Sequence, residues 1–344
     1  MAGNKTGGNK KEAQRTGTNK RTSDKVIVDR KATEGKKENA GENAAPKDGK
    51  TKLISILAAA VLALILIFKP ELLQEVIDSV TAANAEGVFA AFIDVGQGDS
   101  IFLRSPSGKT MLVDAGTPDS FESIQDVLNG EGVTKLDVVI MTHPHSDHMG
   151  SMKKVIENYG IGTFYMPDAV NTTSTFEKVL NALESKKVKT KVIWGSANTT
   201  IKWDDDVEVR VLSPIQGADY QNKLNNMSLV VKVTYGETSL LLTGDAESYA
   251  EELMIASEKE LLKADVLKIG HHGSSTSSSQ AFLDAVRPKA VVISVGKNND
   301  YGHPHRETMQ RLKKLGTEIY RTDKLGTIRM LFTESEVRLL NGDK

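Results

Sequence analysis

The histidines constrain this chain more than any other feature. All seven fall into three short clusters: His143, His145 and His148; His271 and His272; His303 and His305. Each cluster follows an apolar run of strand type, so each is expected on a loop at a strand's end, where a rigid scaffold holds functional groups. The chain therefore needs a fold that brings the ends of strands distant in sequence to one place.

Periodicity supplies such strands. Runs at 88–95, 100–104, 110–113 and 138–141 are of strand type, and helical periods follow at Phe121, Ile124 and Leu128 and at Phe176, Val179, Leu180 and Leu183. The second half repeats the style, with strands expected at 207–212, 229–234, 239–242, 266–269 and 291–295. A helix carrying Met309, Leu312 and Leu315 then precedes a final hairpin between 320 and 340. Pattern alone gives mixed α and β, and an αββα sandwich of two sheets flanked by helices fits the order.

The N-terminal part is different. Residues 1–52 hold 14 Lys+Arg against 7 Asp+Glu and no aromatic residue. So little apolar surface cannot offset the entropy of ordering, and this segment reads as a disordered basic tail. Residues 53–68 form the uncharged run LISILAAAVLALILIF between Lys52 and Lys69. Such a helix rises about 24 Å, short of the roughly 30 Å hydrocarbon core, a gap that snorkelling lysines close. Lys69-Pro70 stands where a cleaved signal would carry small residues, so 53–69 is expected to be an uncleaved transmembrane anchor and 70–87 a linker to a domain over 88–344. Basic residues before the anchor and Glu71, Glu75, Asp78 and Glu86 after it place the N-terminus in the cytoplasm and the domain outside the cell membrane. Beyond the tail the chain carries 30 basic and 38 acidic residues, a balance that argues against a broad nucleic-acid-coating surface. It has no cysteine, which excludes disulfides, thiolate metal sites and cysteine nucleophiles.

The first histidine cluster reads Thr142-His143-Pro144-His145-Ser146-Asp147-His148. Imidazole and carboxylate suit Zn²⁺ or Mn²⁺, and four such groups this close can divide between two adjacent ions. His143 and His145 are expected to face one ion, and Asp147 and His148 the other. Two dications repel unless an anionic group lies between them, and Asp245, which ends the apolar run Leu241-Leu242-Thr243-Gly244, is the candidate bridge. Of the adjacent pair, His271 is assigned to the metal beside Asp147 and His148, and His272 to the substrate as proton donor or phosphate contact. Spacing alone leaves those two exchangeable. Ser274 either holds an anionic oxygen or belongs to a plain turn. His303 is a candidate for contact with substrate, His305 for a solvated loop position, and Lys268, Lys297 and Arg306 for phosphate contacts.

These clusters, in this order, resemble the metallo-β-lactamase superfamily, whose H-x-H-x-D-H signature stands here as His143 to His148. More narrowly, residues 88–340 resemble the C-terminal hydrolase domain of the ComEC competence family. The shared segments are Phe92-Ile93-Asp94-Val95-Gly96-Gln97-Gly98-Asp99-Ser100, Asn225-Asn226-Met227-Ser228-Leu229, Leu241 to Asp245, His271-His272-Gly273-Ser274, and Ser294-Val295-Gly296 continuing to Tyr301-Gly302-His303-Pro304. The resemblance implies a metallo-β-lactamase sandwich with two divalent ions, Asp114 as the aspartate that steadies the metal loop, and Asp94 and Asp99 bordering the site. Many dinuclear relatives place another histidine between the first cluster and the bridging aspartate. Here Asn225-Asn226 occupies that stretch, with Asn226 counted among the residues bordering the site, so the ion at His143 and His145 is expected to be weakly held. The channel and oligonucleotide-binding-like domain of that family have no counterpart in these residues, leaving a hydrolase on a single anchor as the expectation.

The implied chemistry is hydrolysis of a phosphodiester outside the cell, with DNA first among substrates. Two ions would activate water for attack on phosphorus, Asp147 would serve the catalytic centre, and His272 or His303 would assist the leaving group. The alternatives are a cell-envelope phosphodiesterase acting on teichoic-acid phosphorylcholine esters and a non-catalytic, metal-stabilised binding module. No protein partner can be read from the residues.

Overall fold

The computed structural model describes residues 86–221 and 223–341. The expected basic tail, the 53–69 anchor and nearly all of the 70–87 linker lie outside the described residues. Among the described residues no helix is long and apolar enough to cross a membrane.

The described residues build two mixed sheets. The first takes β1 (Val88–Phe92), β2 (Ile101–Arg104), β3 (Thr110–Val113), β4 (Lys135–Ile140), β5 (Gly160–Met166) and β6 (Lys189–Val192), and the second takes β7 (Val207–Ser213), β8 (Val230–Tyr235), β9 (Thr238–Leu242), β10 (Val266–Lys268), β11 (Ala290–Ile293) and β12 (Glu318–Arg321). The chain then returns to the first sheet with β13 (Ile328–Phe332) and β14 (Val337–Leu339), giving the orders β14-β13-β1-β2-β3-β4-β5-β6 and β12-β11-β10-β9-β8-β7. The first sheet is antiparallel through β1, β2 and β3 and parallel from β3 to β6. The second is antiparallel through β7, β8 and β9 and parallel from β9 to β12.

Three apolar layers hold this together. Alternate residues of both sheets, among them Phe92, Leu103, Ile140, Val209, Val231 and Leu242, pack face to face. The other face of the first sheet is covered by α1 (Phe121–Gly130), α2 (Ser146–Met149), α3 (Met152–Asn158) and α4 (Ser174–Ser185), whose Ile124, Met149, Val155 and Val179 are buried against it. The other face of the second is covered by α5 (Ser248–Glu258), α6 (Gln280–Val286) and α7 (Arg306–Leu315) through Met254, Phe282 and Leu312. Strands whose two faces are both buried explain the continuous apolar runs at β4, β9 and β11.

The expected terminal hairpin is corrected. Tyr320 belongs to β12, a parallel edge strand of the second sheet, and the hairpin proper is β13–β14 on the first. In α4, Leu180 is exposed and Ala182 takes its place on the buried face.

Candidate metal centre

Parallel pairing points the carboxyl ends of β3 and β4 one way, and those of β9, β10 and β11 likewise share one end. Side chains from the loops after these strands meet. In open α/β sheets this is where ligands bind.

The loop after β4 is stapled from below by Asp114, which follows β3. The Asp114 carboxylate accepts the Thr142 N–H at 2.7 Å and the Thr142 hydroxyl at 2.6 Å, and His148 Nδ1 lies 2.8 Å away. That bond commits the His148 proton to Nδ1 and turns Nε2 inward. Asp114 itself has φ of 60°, a left-handed conformation that aspartate tolerates better than most residues. A second close approach fixes the same loop: a Cβ on Gly98 would collide with the Asp147 carbonyl, and Asp99 N–H donates to that oxygen at 3.1 Å.

Asp245 stands at the centre, placed there by Gly244 in a left-handed conformation with φ of 51°. Its Oδ1 lies 3.1 Å from His148 Nε2 and 3.7 Å from His272 Nε2. Its Oδ2 faces the other way, 3.9 Å from His143 Nε2 and 3.7 Å from His271 Nε2. Asp147 Oδ2 lies 3.3 Å from His272 Nε2 and 3.9 Å from His148 Nε2, and His145 Nδ1 lies 3.0 Å from His143 Nε2. One carboxylate thus separates two sets of donors. Asp147, His148, Asp245 and His272 form a compact quartet whose ligand atoms all lie within 4.8 Å of one another. His143, His145 and His271 form a looser set on the far side of Asp245.

The donor set fits a cation. His148 Nε2, His272 Nε2 and Asp245 Oδ1 are buried with no hydrogen-bond partner among the described residues, an arrangement that costs about 1–3 kcal/mol per group if nothing satisfies them. Metal–ligand bonds of about 2.1 Å in tetrahedral geometry put ligand atoms about 3.4 Å apart, in the middle of the separations above. Charge agrees with this. Burial would strip the proton from His148 and His272, yet the carboxylates of Asp245, Asp114 and Asp147 hold His148 well above its ordinary range, and Asp245, Asp147 and Asp99 raise His272 to about 9. Burial would raise Asp245 as well, but His148, His272 and His143 keep it well below the usual carboxylate range. The pocket demands positive charge.

The substrate role expected of His272 is corrected: of the two adjacent histidines it is the one that joins Asp147 and His148. Both lie in left-handed conformations, His271 with φ of 50° and His272 with φ of 53°, and the resulting turn drives His272 into the quartet beneath the surface. His271 instead reaches the side of Asp245 shared with His143. It therefore lies across Asp245 from Asp147 and His148, beside which it was expected.

His272 is held from behind. Its Nδ1 lies 3.0 Å from the Ser294 carbonyl and 3.5 Å from Asp99 Oδ1. Lys268, which ends β10, is completely buried, with Nζ 2.8 Å from Asp99 Oδ2 and donating to the Ile269 carbonyl at 2.8 Å. The contact with Asp99 is too bent for a hydrogen bond, so the attraction is one of charge. Lys268 is thus no phosphate contact.

Three further assignments are corrected. Asn226 Oδ1 accepts the N–H groups of Glu247 at 3.1 Å and Ala250 at 3.4 Å, capping the start of α5 away from the cavity, while its neighbour Asn225 lines the cavity. Ser274 is buried in a turn, its Oγ 3.0 Å from the Thr276 hydroxyl, and does not face the cavity. Asp94 accepts the Gly96 N–H at 3.2 Å as a turn residue and also stays outside it.

The cavity over the cluster measures about 320 Å³ and is also lined by His303, Gln97, Asn171, Thr173 and Tyr301, of which only His303 was singled out from the sequence. Gln97 is the informative addition. Its Oε1 accepts the Gly296 N–H at 3.1 Å, which orients the amide so that Nε2 donates to His303 Nδ1 at 3.2 Å. The His303 proton is thereby left on Nε2. Burial and the neighbouring His272, His305 and His271 hold His303 down at about 4, so it is neutral at pH 7. Nor is His305 merely solvated: its Nδ1 accepts the Ser275 N–H at 2.9 Å, so its Nε2–H donates to the Tyr301 carbonyl at 3.1 Å, tying two cavity loops together.

Comparison with known proteins agrees with this picture. The model of the Metallo-beta-lactamase superfamily matches residues 93–297. ComE operon protein 3 of Bacillus subtilis is 34% identical over 253 residues, covering 69% of this chain and 32% of that protein. Competence protein ComA of Neisseria gonorrhoeae is 32% identical over 238 residues, 68% of this chain and 31% of that one, and Recombination protein 2 of Haemophilus influenzae is 29% identical over 255 residues, 72% and 29% respectively. The chain spans about a third of the length of these curated relatives.

Proposed function

Since the chain belongs to the metallo-beta-lactamase superfamily and is related to the ComEC family at about 30% identity, we propose that it is a dinuclear metal-dependent hydrolase of phosphodiesters, with DNA as its substrate class. The observation that carries the proposal is Asp245, one oxygen facing Asp147, His148 and His272 and the other facing His143 and His271. In this reading the compact quartet holds one divalent ion, Zn²⁺ or Mn²⁺, and His143, His145, His271 and Asp245 hold the second. Such ions supply Lewis-acid polarisation and make water acidic enough to act as a nucleophile near neutral pH.

The chain's own residues do the rest. Asp114 fixes the tautomer of His148, and Ser294 that of His272, so that both present an unprotonated Nε2 to the ion. His303 is a neutral hydrogen-bond donor through Nε2, suited to stabilising a phosphoryl or leaving-group oxygen rather than to delivering a proton. The names of the relatives, a competence protein and a recombination protein among them, support DNA over other phosphodiesters. Residues 53–69 would anchor the domain at the outer face of the cell membrane, a reading supported by the charge asymmetry around that segment.

The test is hydrolysis of single-stranded DNA and of bis-p-nitrophenyl phosphate by the purified protein in Mn²⁺ or Zn²⁺. Both activities should be present and should be lost in Asp147→Asn and Asp245→Asn variants that keep the wild-type circular dichroism. A metal-loaded protein that turns over neither substrate is a binding module, and one that turns over only phosphorylcholine esters is an envelope phosphodiesterase.

A further inference from the structure

The mouth of the cavity carries one feature that metal chemistry leaves unexplained. Tyr301 lines it and is 68% exposed. Its ring lies close to parallel with the His303 imidazole, at an interplanar angle of 23° and a centroid separation of 5.7 Å. The His303 ring in turn is tilted by 30° from His272, at 6.4 Å. Three rings thus step outward from the cluster, and the outermost turns a large part of its surface to water.

A lone exposed aromatic ring is ordinary on a protein surface. This one sits on a braced loop. The Asn299 side chain donates to the carbonyls of Gly296 at 3.0 Å and His303 at 2.8 Å and accepts the His303 N–H at 2.9 Å, while His305 holds the Tyr301 carbonyl. The backbone that presents the ring is fixed in advance, so little entropy is lost when a ligand covers it.

What the ring would take follows from the rest of the wall. No lysine or arginine lines the cavity among the described residues, and Tyr301 is its one large apolar face. Its other polar side chains away from the cluster include the amides of Gln97, Asn171 and Asn225, and Asn225 Oδ1 has no hydrogen-bond partner. A quaternary ammonium group is recognised by a cage of several aromatic faces, which a single ring does not provide. A nucleobase needs one flat face to stack on and amide groups for its edge.

We propose that Tyr301 is the stacking platform for an unpaired nucleobase flanking the scissile phosphodiester, an inference that rests on the phosphodiesterase reading and adds a preference for single strands, because a paired base is already stacked on both faces.

The test uses the full chain, a short single-stranded oligonucleotide and the same strand made abasic, read by turnover in Mn²⁺ and, separately, by fluorescence anisotropy after chelation. In wild type the intact strand should bind more tightly and show the lower KM. Stacking of one base corresponds to about 5- to 150-fold, and this gap should collapse in Tyr301→Ala and persist in Tyr301→Phe. Equal binding of intact and abasic strands by wild type, or an unchanged gap in Tyr301→Ala, overturns the proposal. So does a Tyr301→Ala loss seen on phosphorylcholine esters instead. Base-dependent binding through Tyr301 without cleavage of either strand would retain the platform and refute the nuclease reading.

Discussion

Replacing Lys268 with methionine isolates the charge pair beneath the metal centre. Lys268 and Asp99 are both almost wholly excluded from water, and their charged atoms lie 2.8 Å apart. Burial alone would raise the Asp99 carboxyl, yet Lys268 and His272 hold it at about 2, against 3.8 for the free side chain. That difference corresponds to about 2 kcal/mol of stability. Removing one partner of a buried pair generally costs more, about 3–5 kcal/mol, because the other charge stays in a medium that cannot solvate it. Lys268→Met should therefore lose between about 2 and 5 kcal/mol in urea unfolding of the chelated protein. Chelation keeps metal linkage out of the measurement. Asp99→Asn in the same background removes the stranded charge, so the double variant should recover at least half of the loss. A single-variant cost below about 1 kcal/mol, or a double variant as unstable as the sum of the two singles, would refute the idea that the pair acts as a unit.

Other expectations follow from the same geometry. His272→Ala and His271→Ala should each cost one bound ion of two, and Asp245→Ala both, by elemental analysis after gel filtration; full retention in either histidine variant contradicts the division of ligands. A metal present at about a hundred times its Kd adds about 2.7 kcal/mol per site, so chelation should lower Tm by at least about 5 °C in scanning calorimetry, and an unchanged Tm argues against any bound ion. Glu251, buried where it accepts the Ser279 N–H at 2.9 Å, has its carboxyl raised above 4.5 by burial. Its contribution is fully present below 4.5 and fades as pH rises through the raised value, so Glu251→Gln should flatten the stability profile over that window; an unaltered slope in urea titrations at stepped pH would count against it.

Much of the fold could be read from apolar runs because most strands are buried on at least one face. The strand at 110–113 was bounded as found, and those at 207–212 and 239–242 within one residue. β5 and β6 escaped for physical reasons. β6 is Lys-Thr-Lys-Val, exposed at every position, so no buried face imposes an alternation. Lysines on an edge strand guard against pairing with another chain, and that sequence resembles a loop. β5 opens Gly160-Ile161-Gly162-Thr163, all partly or wholly exposed, and only its last three residues enter the core. The parallel register of β12 was missed because Ile319 and Tyr320 are only partly buried, which suggests a hairpin as readily as a sheet edge.

The site was legible where residue type alone limits the chemistry and illegible where one residue's rotation decides it. Seven histidines in three clusters announce a shared centre, but His271 and His272 are neighbours, and only two successive left-handed residues determine which reaches Asp147. Asn225 and Asn226 pose the same problem, resolved by the demand of the α5 terminus for a cap. Lys268 did leave a signal. It stands inside the run Val266-Leu267-Lys268-Ile269 of a parallel strand between two others, a place where both faces are buried and a lysine must be paired. Its partner, Asp99, lies in the loop between β1 and β2, and Gln97, two residues earlier, reaches across to Gly296 and His303. The single loop after β1 therefore carries both polar connections beneath and beside the cluster, and Gly98 between them gives way to the Asp147 carbonyl. Its composition follows from that position: an amide to orient His303, an absent side chain to admit the metal loop, and a carboxylate to balance the buried ammonium.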